Sequence, residues 1–122
     1  MEDLTNWPKE SGEYKIVQME IDHQICIRFP ENWAKNHSDI LFETVELLGT
    51  KCPEQMNATG DQSIPTLESD RYKVCGMGKA TVDIDKKEAL FYGRSWGYPV
   101  LLNSEHLERI KSLYPEWSIK KE

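Results

Sequence analysis

The apolar residues of this chain change period along its length, and that change restricts the fold more than any single motif does. From Glu13 to Ile21 the pattern alternates. Tyr14, Ile16, Gln18 and Glu20 fall on one side, with Lys15, Val17, Met19 and Ile21 on the other, the two-residue repeat of a strand. Asp22-His23-Gln24 is a turn, and Ile25 to Phe29 a second short strand broken by Pro30. The period then lengthens: Ile40, Leu41, Thr44, Val45, Leu47 and Leu48 mark one face of an amphipathic helix closed by Gly49. Asn36 and Asp39 have the spacing of a capping arrangement, which places His37 at or just inside the helix N-terminus.

Residues 50–71 carry Pro53, Gly60 and Pro65 with almost no periodic pattern, and are expected to form a long loop, mobile or lid-like. Strands resume at Tyr72–Cys75. The glycines of Gly76-Met77-Gly78-Lys79 imply a kink or bulge. Ala80, Val82 and Ile84 alternate again, Asp85–Glu88 is a hairpin turn, and Ala89–Tyr92 pairs back. Asn103 caps a second helix with Leu107, Ile110, Leu113 and Tyr114 on one face, ended by Pro115, with His106 in its first turn facing solvent. Glu116–Lys120 adds a last strand. The order ββα, loop, βββ, αβ predicts an α/β fold: a single mixed six-stranded sheet with two main helices packed on it. One domain is expected over 1–122, with residues 1–12 a loose lead-in.

The charge balance narrows the partners. With 21 acidic and 15 basic residues the net charge is −6, so neither nucleic acid nor an anionic membrane is an expected partner. No apolar run approaches a membrane span, and the polar N-terminus does not resemble a secretory signal. Cys26, Cys52 and Cys75 are widely spaced, with no C-x-x-C and no histidine pair at ligand spacing. Reduced thiols in a cytoplasmic protein and no zinc site are therefore expected.

Several residues invite chemistry, each with a plainer alternative. A histidine at a helix start could act on an anion held by the free N–H groups there, or be an ordinary capping residue. Lys15 either lies on a solvent face or offers a point charge to a phosphate. His23 is a turn residue, and Asp83 with Asp85 are solvated charges on a hairpin. Gly76-Met77-Gly78-Lys79 lacks the leading glycine of a phosphate-binding Walker loop. Gly93-Arg94-Ser95-Trp96-Gly97 has the letters of a nucleophile elbow, but the chain is too short for an α/β-hydrolase. Its glycines can instead form a nest of N–H groups around an oxyanion.

Taken together, these segments resemble the small phosphohistidine phosphatases of the Janus/Ocnus family. Gly12-Glu13-Tyr14-Lys15-Ile16-Val17 resembles the family's first strand, and Trp33-Ala34-Lys35-Asn36-His37-Ser38-Asp39-Ile40 is similar to its W-A-x-x-H-A-D-I segment. Gly76–Lys79 resembles G-G-G-R, Tyr92–Tyr98 resembles Y-G-Y-S-M-A-Y, and Ile110–Trp117 resembles I-K-A-K-Y-P-D-Y. The match covers about two-thirds of the chain in the family's order, and the spacing from Lys79 to Ser95 is gap-free. Departures are Lys79 for arginine, Ser38 for alanine, Asn36 for tyrosine and Pro99 for glycine. The loop after the second strand is also shorter, and residues 50–71 are longer.

The resemblance implies a metal-independent, cofactor-free protein phosphatase acting on the P–N bond of phosphohistidine-containing proteins or peptides. His37 would be the catalytic general base, or alternatively a nucleophile. Lys15, Ser38, Lys79, Ser95 and Gly97 would bind the phosphoryl group, and a cytoplasmic monomer is expected. Two rivals stand beside this reading. One is a non-catalytic phosphate- or phosphopeptide-binding member of the same fold. The other is a small acidic inhibitor or immunity-type protein, suggested by charge and by exposed aromatics such as Trp7 and Trp96.

Overall fold

A computed structural model describes residues 4–50, 52–56, 60–95, 98 and 100–122. The alternating segments form β1 (Gly12–Ile21), β2 (Gln24–Arg28), β5 (Tyr72–Asp83), β6 (Glu88–Tyr92) and β7 (Ser118–Lys121), a sheet in the order β2-β1-β5-β6-β7. Neighbours are antiparallel except β6 and β7, which run parallel through α2 (Ser104–Leu113). The other helix is α1 (His37–Leu48).

The two helices cover opposite faces of the sheet. On one side Ile40, Leu41 and Val45 of α1 meet Val17, Met19, Ile21, Val74 and Met77. On the other, Leu107 and Ile110 of α2 meet Tyr14, Ile16, Ala80, Val82 and Phe91. The alternation read in β1 therefore holds, and it puts Lys15 on the α1 side with Val17 and Met19.

Five strands form the main sheet instead of the expected six, because Tyr72–Cys75 and Ala80–Asp83 belong to one twelve-residue strand. The register against β1 shifts between Gln18 and Met19: Gln18 faces Gly76 while Met19 faces Val74, leaving Cys75 as an extra residue. That bulge lets Val74 and Met77 share a face at a spacing of three, so the alternation looks interrupted. Gly76 and Gly78 continue the strand for a steric reason. A Cβ on Gly76 would collide with the Gln18 carboxamide and lie 2.9 Å from the backbone of Leu101 and Asn103. One on Gly78 would lie 2.7 Å from the Leu102 side chain and 2.8 Å from the Tyr92 carbonyl oxygen. The bare backbone is what admits the 101–103 crossing.

Residues 50–71 are also more ordered than a structureless loop. They contain a second, two-stranded sheet of β3 (Glu54–Met56) and β4 (Ser63–Pro65). Ile64 is buried against the α1-side core, and the Tyr98 hydroxyl donates to the Pro65 carbonyl at 2.7 Å. Three-residue strands are too short to register as a period. At its far end Arg71 makes a bidentate pair with Asp22 and donates to the Leu48 carbonyl, tying the β1–β2 turn to the end of α1.

The expected loose lead-in is fastened from Leu4 onward. Asn6 donates to and accepts from the Phe29 backbone, and the Thr5 hydroxyl accepts from the Ile27 amide. Side chains thus occupy backbone groups on the outer edge of β2, one way of blunting an edge strand. Trp7 stacks on Trp117 with ring centroids 4.0 Å apart, so it is not the exposed aromatic anticipated from its position. Trp96, the other, lies outside the described residues.

Candidate functional site

The N-terminus of α1 is built by its own sequence. The Asn36 side chain accepts from the Asp39 amide at 3.0 Å, and the Asp39 carboxylate accepts from the Asn36 amide at 3.0 Å. This closed capping box satisfies its two donors and leaves the His37 and Ser38 amides, at the first positions of the helix, available to a ligand. The Ser38 hydroxyl turns back to Asn36 Oδ1 at 2.7 Å.

His37 is 6% exposed, and its Nε2 lies 2.9 Å from the carbonyl oxygen of Gly78 in β5. A carbonyl can only accept, so Nε2 carries the proton and the lone pair falls to Nδ1. Nδ1 has no protein partner among the described residues. Burial holds the imidazole pKa below its ordinary value. The Gly78 carbonyl pulls the other way, and the positive charges of Lys15 and Lys79 add to the depression. The side chain is therefore neutral near pH 7.

Lys15 and Lys79 lie directly opposite one another across the β1–β5 pair. Like charges in that arrangement repel. Neither has a carboxylate partner within salt-bridge distance among the described residues. Their separation in the chain concealed this pairing, which only the strand register creates.

Lys15, His37, Ser38, Lys79 and Ser95, five of the six residues singled out from the sequence, line one cavity of about 400 Å³. The sixth, Gly97, lies outside the described residues. Asn36, Gln62, Ile64, Arg94 and Tyr98 complete the described wall. The sequence pattern gave no sign of Gln62 or Ile64 there, and it gave Asn36, Arg94 and Tyr98 no binding role of their own. Gln62 and Ile64 arrive on the β3–β4 hairpin, and Arg94 follows Gly93, whose φ of 74° turns the chain out of β6. Buried Ser95 accepts the Tyr98 amide at 3.2 Å, and burial pushes the Tyr98 phenol pKa well up.

The described lining carries three cationic side chains, one neutral imidazole and no carboxylate. That set suits an anion, and lacks the carboxylates or thiolates that a metal ion would draw on. The helix dipole of α1 points its positive end at the same place.

Two comparisons with known proteins found nothing similar. No family model and no curated protein matches the chain.

The remaining histidines are elsewhere. His23 is an exposed turn residue with φ of 69°. His106 does not face solvent as its position in α2 suggested; it is 4% exposed. Its Nδ1 meets the Gln18 carboxamide at 3.2 Å and its Nε2 the Met19 carbonyl at 3.1 Å. Buried Gln18 also accepts the Asn103 amide at 2.7 Å and donates to the Asn103 carbonyl at 2.9 Å. A polar residue in the buried row of β1 needs such partners, and His106 supplies one.

Proposed function

We propose that this chain is a phosphohistidine phosphatase of the Janus/Ocnus type, hydrolysing the P–N bond of phosphohistidine-containing proteins or peptides without a metal ion. The observation that carries the reading is the pair of facing lysines, with no carboxylate paired to them among the described residues, beside a neutral, buried His37 at an open helix N-terminus. Phosphoryl transfer asks a protein mainly for positioning and charge stabilisation, which such a site can supply.

In this mechanism Lys15, Lys79 and the amides of His37 and Ser38 take the phosphoryl oxygens, and Ser95 borders the same cavity. Arg94 adds a third positive charge to the lining of the same cavity. His37, its Nε2–H held by Gly78, uses Nδ1 to take the proton of the attacking water while oxygen bonds to phosphorus and the P–N bond breaks. The electron pair of that bond leaves with the imidazole of the substrate, which gains a proton from solvent. Phosphate and histidine are the products.

The test is hydrolysis of a phosphohistidine peptide by wild-type protein and by His37→Ala, with phosphate binding measured on both. Loss of turnover with retained phosphate binding supports the proposal. Unchanged turnover in His37→Ala sinks the site assignment. Phosphate binding without turnover in the wild type favours the non-catalytic binding reading. A phosphorylated His37 trapped during turnover would replace water attack by a covalent route.

A further inference from the structure

A second hollow, of about 550 Å³, adjoins the cavity and shares Lys15 and Lys79 with it. The sign of its lining reverses across the lysine pair. On the cavity side stand Lys15, Lys79 and Arg94, and no carboxylate is among the described lining residues; on the far side stand Glu10, Glu13 and Glu31, with Trp33 beside them. We propose that this groove receives the chain flanking the phosphorylated residue, and that it selects flanks carrying lysine or arginine. The inference rests on the reading of the adjacent cavity as a phosphoryl site.

Three observations favour that occupant. First, the groove is continuous with the cavity through the lysines that would hold the phosphoryl group. A chain anchored there must leave past them, and the groove is an exit of sufficient size. Second, Trp33 is 76% exposed, on a turn ordered by Asn32, whose side chain accepts the Ala34 amide at 2.9 Å and whose carbonyl accepts the Lys35 amide at 3.3 Å. An indole left outside the core can take the stem or charged head of lysine or arginine against its face. Third, the carboxylates are placed by the fold. Glu13 lies two residues from Lys15 on the same face of β1, and with burial its carboxylate raises the pKa of the Tyr92 phenol. A net charge of −6 draws basic partners from a distance and repels acidic ones.

The experiment compares two peptides with a single phosphohistidine, one flanked by arginines and one by glutamates, with phosphoramidate as a small substrate that cannot reach the groove. The wild type is expected to favour the arginine peptide in kcat/KM by about tenfold, through KM, with the preference shrinking as salt is raised. The triple variant Glu10→Gln, Glu13→Gln, Glu31→Gln should lose that preference while hydrolysing phosphoramidate at the wild-type rate, and Trp33→Ala should lose part of it. Equal use of both peptides by the wild type, or an undiminished preference in the triple variant, overturns the groove and leaves the phosphatase reading intact. Binding of the unphosphorylated peptides, followed by tryptophan fluorescence, separates the two claims. Preferential binding of the arginine peptide without turnover of any substrate sinks the phosphatase and keeps the groove, whereas no preference in binding or turnover removes the groove whatever the chemistry.

Discussion

Two histidines occupy matching positions on opposite faces of the sheet, and their environments differ at one nitrogen. His37 opens α1 behind an Asn36 cap, and His106 lies in the first turn of α2 behind an Asn103 cap. Both are buried, both give Nε2 to a strand carbonyl, and burial lowers both pKa values. At His106 the second nitrogen is filled by Gln18, so the ring is a bracket between helix and sheet. At His37 it is left to a cavity where two lysines face each other. Burial and a depressed pKa therefore do not separate a structural histidine from a candidate catalytic one. The nitrogen without a partner among the described residues, and its neighbours, do.

Exchanging the losses tests that contrast most severely. His37→Ala is expected to lower turnover of phosphohistidine at least about a hundredfold, the scale of a positioned base, with a modest change in stability. His106→Ala should leave turnover near wild type but cost about 1–3 kcal/mol in urea unfolding, because Gln18 and the Met19 carbonyl lose a buried partner. If the two variants behave alike, the two histidines do not differ in role.

The glycines of β5 sharpen the comparison next. Gly76→Ala presses on Gln18 and the 101–103 backbone, so about 1–3 kcal/mol of stability should be lost on the α2 side. Gly78→Ala meets Leu102 and the Tyr92 carbonyl in the same way, and also disturbs the carbonyl that holds His37. Thermal unfolding should register both, whereas kcat at a temperature where both are folded should fall further in Gly78→Ala.

The lysine pair should respond in affinity. Lys15→Gln and Lys79→Gln are each expected to weaken inhibition by inorganic phosphate about tenfold. Each also removes a repulsion from the free protein, so neither should lower its stability. Similar phosphate affinity in all three proteins would show that the anion does not rest on these side chains.

A smaller effect is expected from pH. The folded pKa values of His37 and His106 lie below the unfolded one, so the stability they confer is whole above about pH 6.5 and is lost as pH falls through the folded values. The acid limb of kcat/KM should likewise lie below pH 6.5, since a lowered pKa keeps the base form of His37 available there. His106→Ala should retain the limb and flatten part of the stability loss. A limb that rises above pH 6.5 would contradict the neutral, cation-flanked environment of His37.

Local pattern carried much of this architecture. The alternation in β1 grouped Lys15 with Val17, Met19 and Ile21, the Asn36–Asp39 spacing placed His37 at the helix start, and Gly49 ended the helix in a left-handed cap. These features depend on neighbours a few residues away, so their signal lies in a short window of residues. The six-strand count failed where a long-range requirement overrode the local one: glycines that suggest a break in β5 are present because another segment crosses against them. The same holds for residues 50–71, whose short hairpin is secured by Tyr98 from far along the chain, and for His106, whose buried partner sits on β1.

Local sequence therefore settles the order of the longer elements and the two helix starts, because capping and periodicity are satisfied within a turn or a strand, but not the strand count or the short hairpin. Tertiary structure alone decided which groups meet. Register across β1 and β5 set Lys15 against Lys79, and a bulge at Cys75 brought Met77 and Lys79 onto that face. A carbonyl of β5 chose which nitrogen of His37 carries the proton. These are long-range hydrogen-bonding outcomes, which a one-residue change in register would undo and which no local pattern encodes.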